Sequence, residues 1–329
     1  MARRKKGRLL DGVLLLDKPL EISSNAALQK VRWLFGARRA GHTGALDPLA
    51  TGVLPICFGE ATKFAKFLLE SDKSYYTTAT LGEIRESGDC EGEIVDTRPV
   101  PNFSVDELET VLEQFRGDSL QVPTMFSALK YQGKPLYEWA RQGITVEREP
   151  RPIHVDELRL DGQSENTLSL FVSCTKGTYI RSLVEDVGLQ LGCGAHVSML
   201  RRSRAGQFDL ADTVTLDKLI GLEGDFEGLS EFVRPIDCLL SDMPKISINN
   251  QQTVSLLRGQ AVNITPAENV GLHRVYVPRQ AIEDSVGSIL NIVKPCALGN
   301  DWFFAGVVEI DAQGEAQPKR LINFTAASE

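Results

Sequence analysis

Residues 41–52, reading G-H-T-G-A-L-D-P-L-A-T-G, constrain this chain more than any other stretch. Twelve residues hold one histidine, one aspartate and three glycines, with no apolar period that a buried helix or strand would need. Glycines open backbone angles that other residues avoid, so a shaped loop is expected. Pro48 biases Asp47 away from the α region and presents its carboxylate in a restricted geometry. Asp-Pro is also ordinary turn chemistry, so a structural turn and a working carboxylate both fit these residues. Gly36 and Gly41 have the spacing of a phosphate loop, but His42 and Thr43 stand where Lys and Ser/Thr should follow, which excludes it. Gly41-His42-Thr43-Gly44 has the form of the G-x-x-G clamp of KH domains, which keeps a pure binding reading open.

Asp47 needs partners, and the chain is long enough to supply them. At 329 residues it has room for a sizeable core and two domains. The net charge of −8 argues against a nucleic-acid partner until its distribution is considered. Residues 1–73 carry 13 Lys and Arg against 7 Asp and Glu, leaving −14 for the remainder. A basic front on an acidic body can follow a phosphate backbone locally, and it can equally be a solvated surface. Arg3 to Arg8 with Leu9 and Leu10 resemble the start of a signal peptide, but Asp11 and Gly12 end the apolar run, so residues 1–11 read as a flexible basic arm. No segment approaches the ~20 apolar residues of a membrane span. Six cysteines without a C-x-x-C pair fit a reducing cytosol, and Cys193-x-x-His196 reads as buried packing.

Apolar runs at 13–16 and 53–58 read as strands, as do 73–81 and 167–174. Ser23 or Ser24 caps a helix with Ala27, Leu28, Val31, Leu34 and Phe35 inward, closed by Gly36. A second helix turns Ala61, Phe64, Ala65 and Leu68 inward, away from Lys63 and Lys66. Ser104 to Glu107 is a capping box for a helix facing inward with Val105, Leu108, Val111, Leu112 and Phe115. In the irregular 121–143 segment Phe126, Tyr131, Tyr137 and Trp139 alternate with Lys130, Lys134 and Arg141. That pattern suits stacking on nucleobases, or a loop pinned by buried rings. After 167–174 comes a helix with Ile180, Leu183, Val184, Val187 and Leu191 on one face. Arg181 lies in its first turn, where a cation opposes the helix dipole and needs an anion or the surface to justify it. Beyond a boundary near 244 the chain reads as short strands at 245–248, 261–264, 275–277, 288–293 and 303–310, the pattern of a small β-barrel.

With G-H-T-G-A-L-D-P-L-A-T-G, G-V-L-L-L-D-K-P (12–19), G-E-A-T-K (59–63), S-A-L-K (127–130) and K-G-T-Y-I-R (176–181) in order, the chain resembles the TruB-type tRNA pseudouridine synthases. The resemblance runs from about Gly12 to Arg202 and continues more weakly into a barrel similar to PUA-type RNA-binding domains. It implies an α+β fold: a mixed, largely antiparallel sheet flanked by helices over 12–243, then a PUA-like barrel over 244–329. It also implies isomerisation of the uridine at tRNA position 55, in the T loop, by a cytoplasmic monomer with no cofactor, metal or membrane. By motif, Asp47 would be the catalytic aspartate and Arg181 its partner. Tyr75 would stack on the target base and take the proton from ring carbon 5. Lys18 would build the floor, Leu200 would line the pocket, and His42 would fill the gap left by the extruded base. Tyr179 and Lys130, from the K-G-T-Y-I-R and S-A-L-K motifs, would bind the substrate. Two positions depart from the family pattern. Phe126 replaces a tyrosine before S-A-L-K, and Arg85-Glu86-Ser87 replaces T-D-T before Asp89.

The chemistry suits such a set. The target base must leave its stack, its C–N glycosidic bond must break, and the ring must rejoin through carbon. A carboxylate serves as nucleophile toward the sugar or the ring, or as base toward a neighbouring proton, and sequence leaves these open. In a dry pocket it would stay protonated unless an arginine such as Arg181 held it ionised through a two-pronged contact. An RNA-binding or RNA-folding protein using the same groove without chemistry is the alternative. The position of Asp47 speaks against it, because an anion is a poor choice in a phosphate-binding loop.

Overall fold

The computed structural model describes residues 7–264, 270–286, 296 and 298–324. The start of the basic arm (1–6) and the strand expected at 288–293 lie outside the described residues. The chain opens with β1 (Gly12–Lys18), α1 (Ser24–Leu34), β2 (Ala40–His42) and β3 (Ala50–Phe58). A 3-10 turn (Gly59–Lys63) and α2 (Ala65–Leu69) divide what reads in sequence as one helix. Next come β4 (Lys73–Leu81), β5 (Glu83–Arg85), β6 (Ile94–Thr97), α3 (Val105–Glu113) and β7 (Gly117–Gln121). The ribbon β8 (Lys130–Tyr131) and β9 (Lys134–Pro135) precedes α4 (Leu136–Ala140), β10 (Arg151–Gln163), β11 (Thr167–Cys174) and α5 (Ile180–Gln190). Then follow β12 (Ala195–Ala205), β13 (Phe208–Asp209), β14 (Val214–Thr215), α6 (Leu216–Ile220) and α7 (Phe226–Glu231). The C-terminal part is β15 (Lys245–Ser247), α8 (Asn250–Leu257), β16 (Val262–Asn263), β17 (Gly271–Pro278), α9 (Arg279–Val286), β18 (Trp302–Ile310) and β19 (Glu315–Leu321).

Ten strands form one sheet in the order β14-β1-β3-β12-β4-β11-β10-β7, with β2 beside β3 and β13 beside β12. Only β1–β14 and β3–β12 run parallel, so the sheet is mixed and largely antiparallel, as expected. The run Val13-Leu14-Leu15-Leu16 is buried on both faces, which is why β1 is apolar without alternation. Leu14 and Leu16 join a core with α1, α3 and α5, whereas Val13 and Leu15 join a second core. Ser23 caps α1 by accepting from the Ala26 N–H, and α1 buries Ala27, Leu28, Val31 and Leu34. The Ser104–Glu107 capping box opens α3, which buries Leu108 and Leu112, while Val105 projects outward at 62% exposure.

The second sheet has the order β15-β17-β18-β19-β16 and is compatible with a PUA-like unit. Its two helices, α8 and α9, are absent from the sequence reading, which saw only strands there. The Asn249–Gln252 capping box is the local signal for α8 that the strand pattern masked. The second core runs from Val13, Val53, Phe64 and Leu68 into Tyr276 and Phe304, with the Phe64 and Phe304 rings 5.3 Å apart. Arg8 does not lie free in an arm. Its N–H donates to the Gly36 carbonyl (2.6 Å), its carbonyl accepts from the Arg38 N–H (2.9 Å), and its guanidinium covers the Phe226 ring.

Candidate active site

Strand pairing trims the loop expected at 41–52. Gly41 and His42 pair with Cys57 and Ile56, and β3 begins at Ala50, so the true loop is 43–49. It is pinned at several points. The Ser24 hydroxyl donates to the Leu46 carbonyl (2.9 Å) and accepts from the Leu46 N–H (2.6 Å). The Glu21 N–H donates to the Pro48 carbonyl, and the Ala50 N–H closes a turn on the Asp47 carbonyl, both at 3.0 Å. Leu46 and Leu49 are buried anchors on either side of Asp47. Lys18 lies wholly buried below, donating to the carbonyls of Ile22 (2.6 Å), Pro19 (2.9 Å) and Pro48 (3.4 Å). Burial pulls its ammonium down to about 8.

Arg181 reaches the loop from the first turn of α5. It is buried, with 5% of its side chain exposed, and is not a surface cation. Its Nη2 lies 3.0 Å from Asp47 Oδ2 and donates to the Phe126 carbonyl at 2.7 Å. Its Nη1 lies 3.3 Å from Asp89 Oδ2 and donates to the Ser87 carbonyl at 2.8 Å. The two-pronged contact expected with Asp47 is therefore replaced by a shared one, because a second buried carboxylate occupies the other nitrogen. Asp89 is held by the Ser87 hydroxyl (2.5 Å) and the Glu91 N–H (3.1 Å). Gly88 between them adopts φ +72°, and a Cβ there would come within 2.8 Å of the Glu185 carboxylate. At the departing positions, Phe126 meets Arg181 through its backbone carbonyl, which any residue offers, and Ser87 supplies a hydroxyl to Asp89 as a threonine would.

Asp47, Tyr75, Tyr179, Arg181, Leu200 and Arg202 line one recess of about 330 Å³. The Asp47 side chain keeps 41% of its surface open to this space while protein surrounds the rest. Burial raises its carboxyl above the usual range; Arg181 and Lys18 draw it down, and Asp89 pushes it up. Tyr75 is half-buried on β4, and burial raises its phenol against the opposing charge of Arg202. Leu200 is buried where β12 lies between Ala50 of β3 and Thr77 of β4. Tyr179 precedes α5, and Gln121 clamps its backbone, with the amide donating to the Tyr179 carbonyl (3.1 Å) and the side-chain oxygen accepting from its N–H (2.8 Å).

Lys18, His42 and Lys130 do not line the recess. His42 sits half-buried on β2, its Nδ1 without a partner, and burial lowers its pKa. Lys130 is exposed on the β8–β9 ribbon. Nearby, Lys134 covers the Trp139 ring and Arg141 the Tyr137 ring, so the alternating bases and aromatics stack on one another. Cys193 and His196 are both buried, and no cluster of metal-ligating side chains occurs among the described residues. Sequence reasoning assigned no role in the site to Ser24, Asp89, Gln121 or Arg202. The contacts that tie them to the site span 22 to 158 positions and leave no local pattern.

The TruB family pseudouridylate synthase N-terminal domain matches residues 32–180, covering Asp47 and Tyr75. The tRNA pseudouridylate synthase B C-terminal domain matches 181–241, covering Arg181, Leu200 and Arg202. A tRNA pseudouridine synthase B of Vibrio vulnificus (strain YJ016) is 46% identical over 332 residues, covering 98% of this chain and 99% of the relative. That of Stutzerimonas stutzeri (strain A1501) is 47% identical over 325 residues, covering 98% and 99%. The archaeal box H/ACA sRNP Nop10-Cbf5 complex shares the fold, with a TM-score of 0.66, 20% identity, and 99% of this chain and 94% of that chain covered.

Proposed function

The chain belongs to the TruB family of pseudouridylate synthases, and from that premise we propose that Asp47 isomerises a uridine flipped out of the tRNA T loop. The observation that carries this reading is the Arg181–Asp47 ion pair, 3.0 Å long, at the wall of a recess that Tyr75 and Leu200 also line. Flipping a base costs a few kcal/mol, which contacts to the RNA must offset. The extruded uracil enters the recess with its face on the Tyr75 ring and its edge against Leu200. Asp47 then acts on the glycosidic bond, as nucleophile or as base, and both roles need an ionised carboxylate at this place. Arg181 supplies that ionisation and fixes the carboxylate in a region of low dielectric. The C–N bond breaks, the ring turns, a bond forms to ring carbon 5, and the proton on that carbon leaves toward Tyr75 while N1 gains one.

His42, on β2 beside the loop, fills the gap in the RNA stack, and Tyr179 and Lys130 meet the RNA around the mouth. Lys18 holds the floor rather than touching the base, since its three carbonyl contacts occupy its ammonium. Asp47, Tyr75, Arg181 and Leu200 all line the recess from within a single chain. All six cysteines are free, and among the described residues no helix is long and apolar enough to cross a membrane, which fits a cytoplasmic enzyme. The test is label release from ring carbon 5 of uridine in a T-arm stem-loop. Asp47→Asn should release none while binding tRNA within severalfold of the parent protein. Turnover by that variant in a preparation free of parent enzyme would remove Asp47 from the chemistry.

A further inference from the structure

We propose that Arg202 is a second positioning arginine, which locks Tyr75 and the Asp47 loop into one register. This deepens the function proposed above and rests on it. Arg202 lies on β12 with its Cα opposite Tyr75 of β4 on one side and Gly52 of β3 on the other. It is 2% exposed and among the largest fully buried side chains of the molecule. Its Nε donates to the Val53 carbonyl at 2.7 Å. Its Nη2 donates to the Gly44 carbonyl at 3.2 Å, three residues before Asp47. Tyr75 and Arg202 line the same recess from directly opposed positions, and the charge of the guanidinium favours the ionised phenol.

Arg181 and Arg202 differ in one respect that decides their roles. Arg181 meets two carboxylates, whereas Arg202 makes no ion pair among the described residues. A buried guanidinium without a counter-ion is costly, so its retention calls for a geometric use. The two carbonyls it binds and the residue it pairs with supply one. The Val53 carbonyl fixes it to β3, the Gly44 carbonyl fixes the start of the catalytic loop, and its place opposite Tyr75 sets the ring that stacks on the base. Asp47 from the loop and Cys174 from β11 are the other titratable groups influencing that phenol, and Lys73 lies on the same recess wall. Gly52 lets the strands close, since a Cβ there would meet the Arg202 carbonyl oxygen at 2.2 Å.

Two variants test the assignment. Tyr75→Phe removes only the phenol oxygen, and if that oxygen is an acceptor for Arg202 the buried donor is orphaned. The Tm should then fall by about 2–4 °C. A Tm at or above that of the parent protein would overturn the proposal. Arg202→Lys keeps the charge but lacks the fork that reaches the Val53 and Gly44 carbonyls together. Single-turnover conversion at saturating tRNA should drop about tenfold or more, with the tRNA Kd within twofold. A parent-like rate, or a loss confined to Kd, would also overturn it. If Arg202→Lys does not fold, the Tyr75→Phe melt decides alone. Parent protein that converts no T-arm uridine would refute the functional reading, while the Tyr75→Phe melt would still report on the Arg202 contact.

Discussion

Arg181 divides one guanidinium among two carboxylates and two carbonyls, and that division makes it irreplaceable by a simple charge. Lysine has one nitrogen and cannot reproduce a planar fork with four acceptors. Arg181→Lys should therefore slow single-turnover conversion by about a hundredfold, on the order of 3 kcal/mol, with little change in tRNA Kd. Adding Asp47→Asn should cost almost nothing more, since the pair acts as a unit. A parent-like rate in the lysine variant would take Arg181 out of the site. The pH profile gives a second check. Burial holds the Asp47 carboxyl above its ordinary range and Arg181 lowers it, so activity needing the anion is lost as pH falls through that raised value. Removing the lowering partner with Arg181→Met should move the acid limb of the residual rate to higher pH. A limb that stays in place would show that another group controls it.

At the scale of elements, the parallel pair β3–β12 does the positioning. It aligns Leu200 with Ala50 and Arg202 with Gly52, one step from the loop. Gly52 has φ +102°, and a Cβ would lie 2.2 Å from a backbone oxygen that cannot swing aside. Gly52→Ala should thus cost about 3 kcal/mol or more, read as a lower urea midpoint with unchanged slope. An unchanged midpoint would mean that the two strands can separate freely. The strands and helices that build this region follow from local pattern: the apolar run of β1, the β-branched and aromatic residues of β4, and the capped stripe of α1. The two C-terminal helices escaped because their apolar faces are short and lie among strand-like segments, which leaves the capping box at Asn249 as the main cue.

Across the whole molecule, the two sheets share a core. Phe64 and Leu68 before β4 pack into the cluster of Tyr276 and Phe304, and the Tyr276 hydroxyl donates to buried Asp237 at 2.9 Å. Lys63 also donates to the Leu321 carbonyl at 3.1 Å, so a residue expected on an outer face is tied to the C-terminal sheet. Removing residues 245–329 should do more than weaken RNA binding. It uncovers buried apolar side chains such as Val13, Val53, Phe64 and Leu68, so the truncated chain should bind a hydrophobic dye such as ANS and melt well below the parent. A truncated protein with the parent's melting profile and no dye binding would show that the first core is self-sufficient.

The sequence alone determined that Asp47 sits in a glycine-rich, proline-restricted loop, that the chain alternates strands and capped helices, and that no phosphate loop is present. These are consequences of nearest-neighbour chemistry, of backbone angles and apolar periods, and so can be read along the chain. Family resemblance added Arg181, Tyr75 and Leu200. The tertiary structure decided that the loop is only residues 43–49, since strand pairing with distant residues claims its ends. It decided too that Arg181 is shared with Asp89, that Gln121 holds Tyr179, and that Arg202 lies beside Tyr75 on the neighbouring strand. Each of those contacts joins positions far apart in the chain. The donors are common side chains whose partners are backbone carbonyls or ordinary carboxylates, so their meaning exists only once the sheet has brought them together.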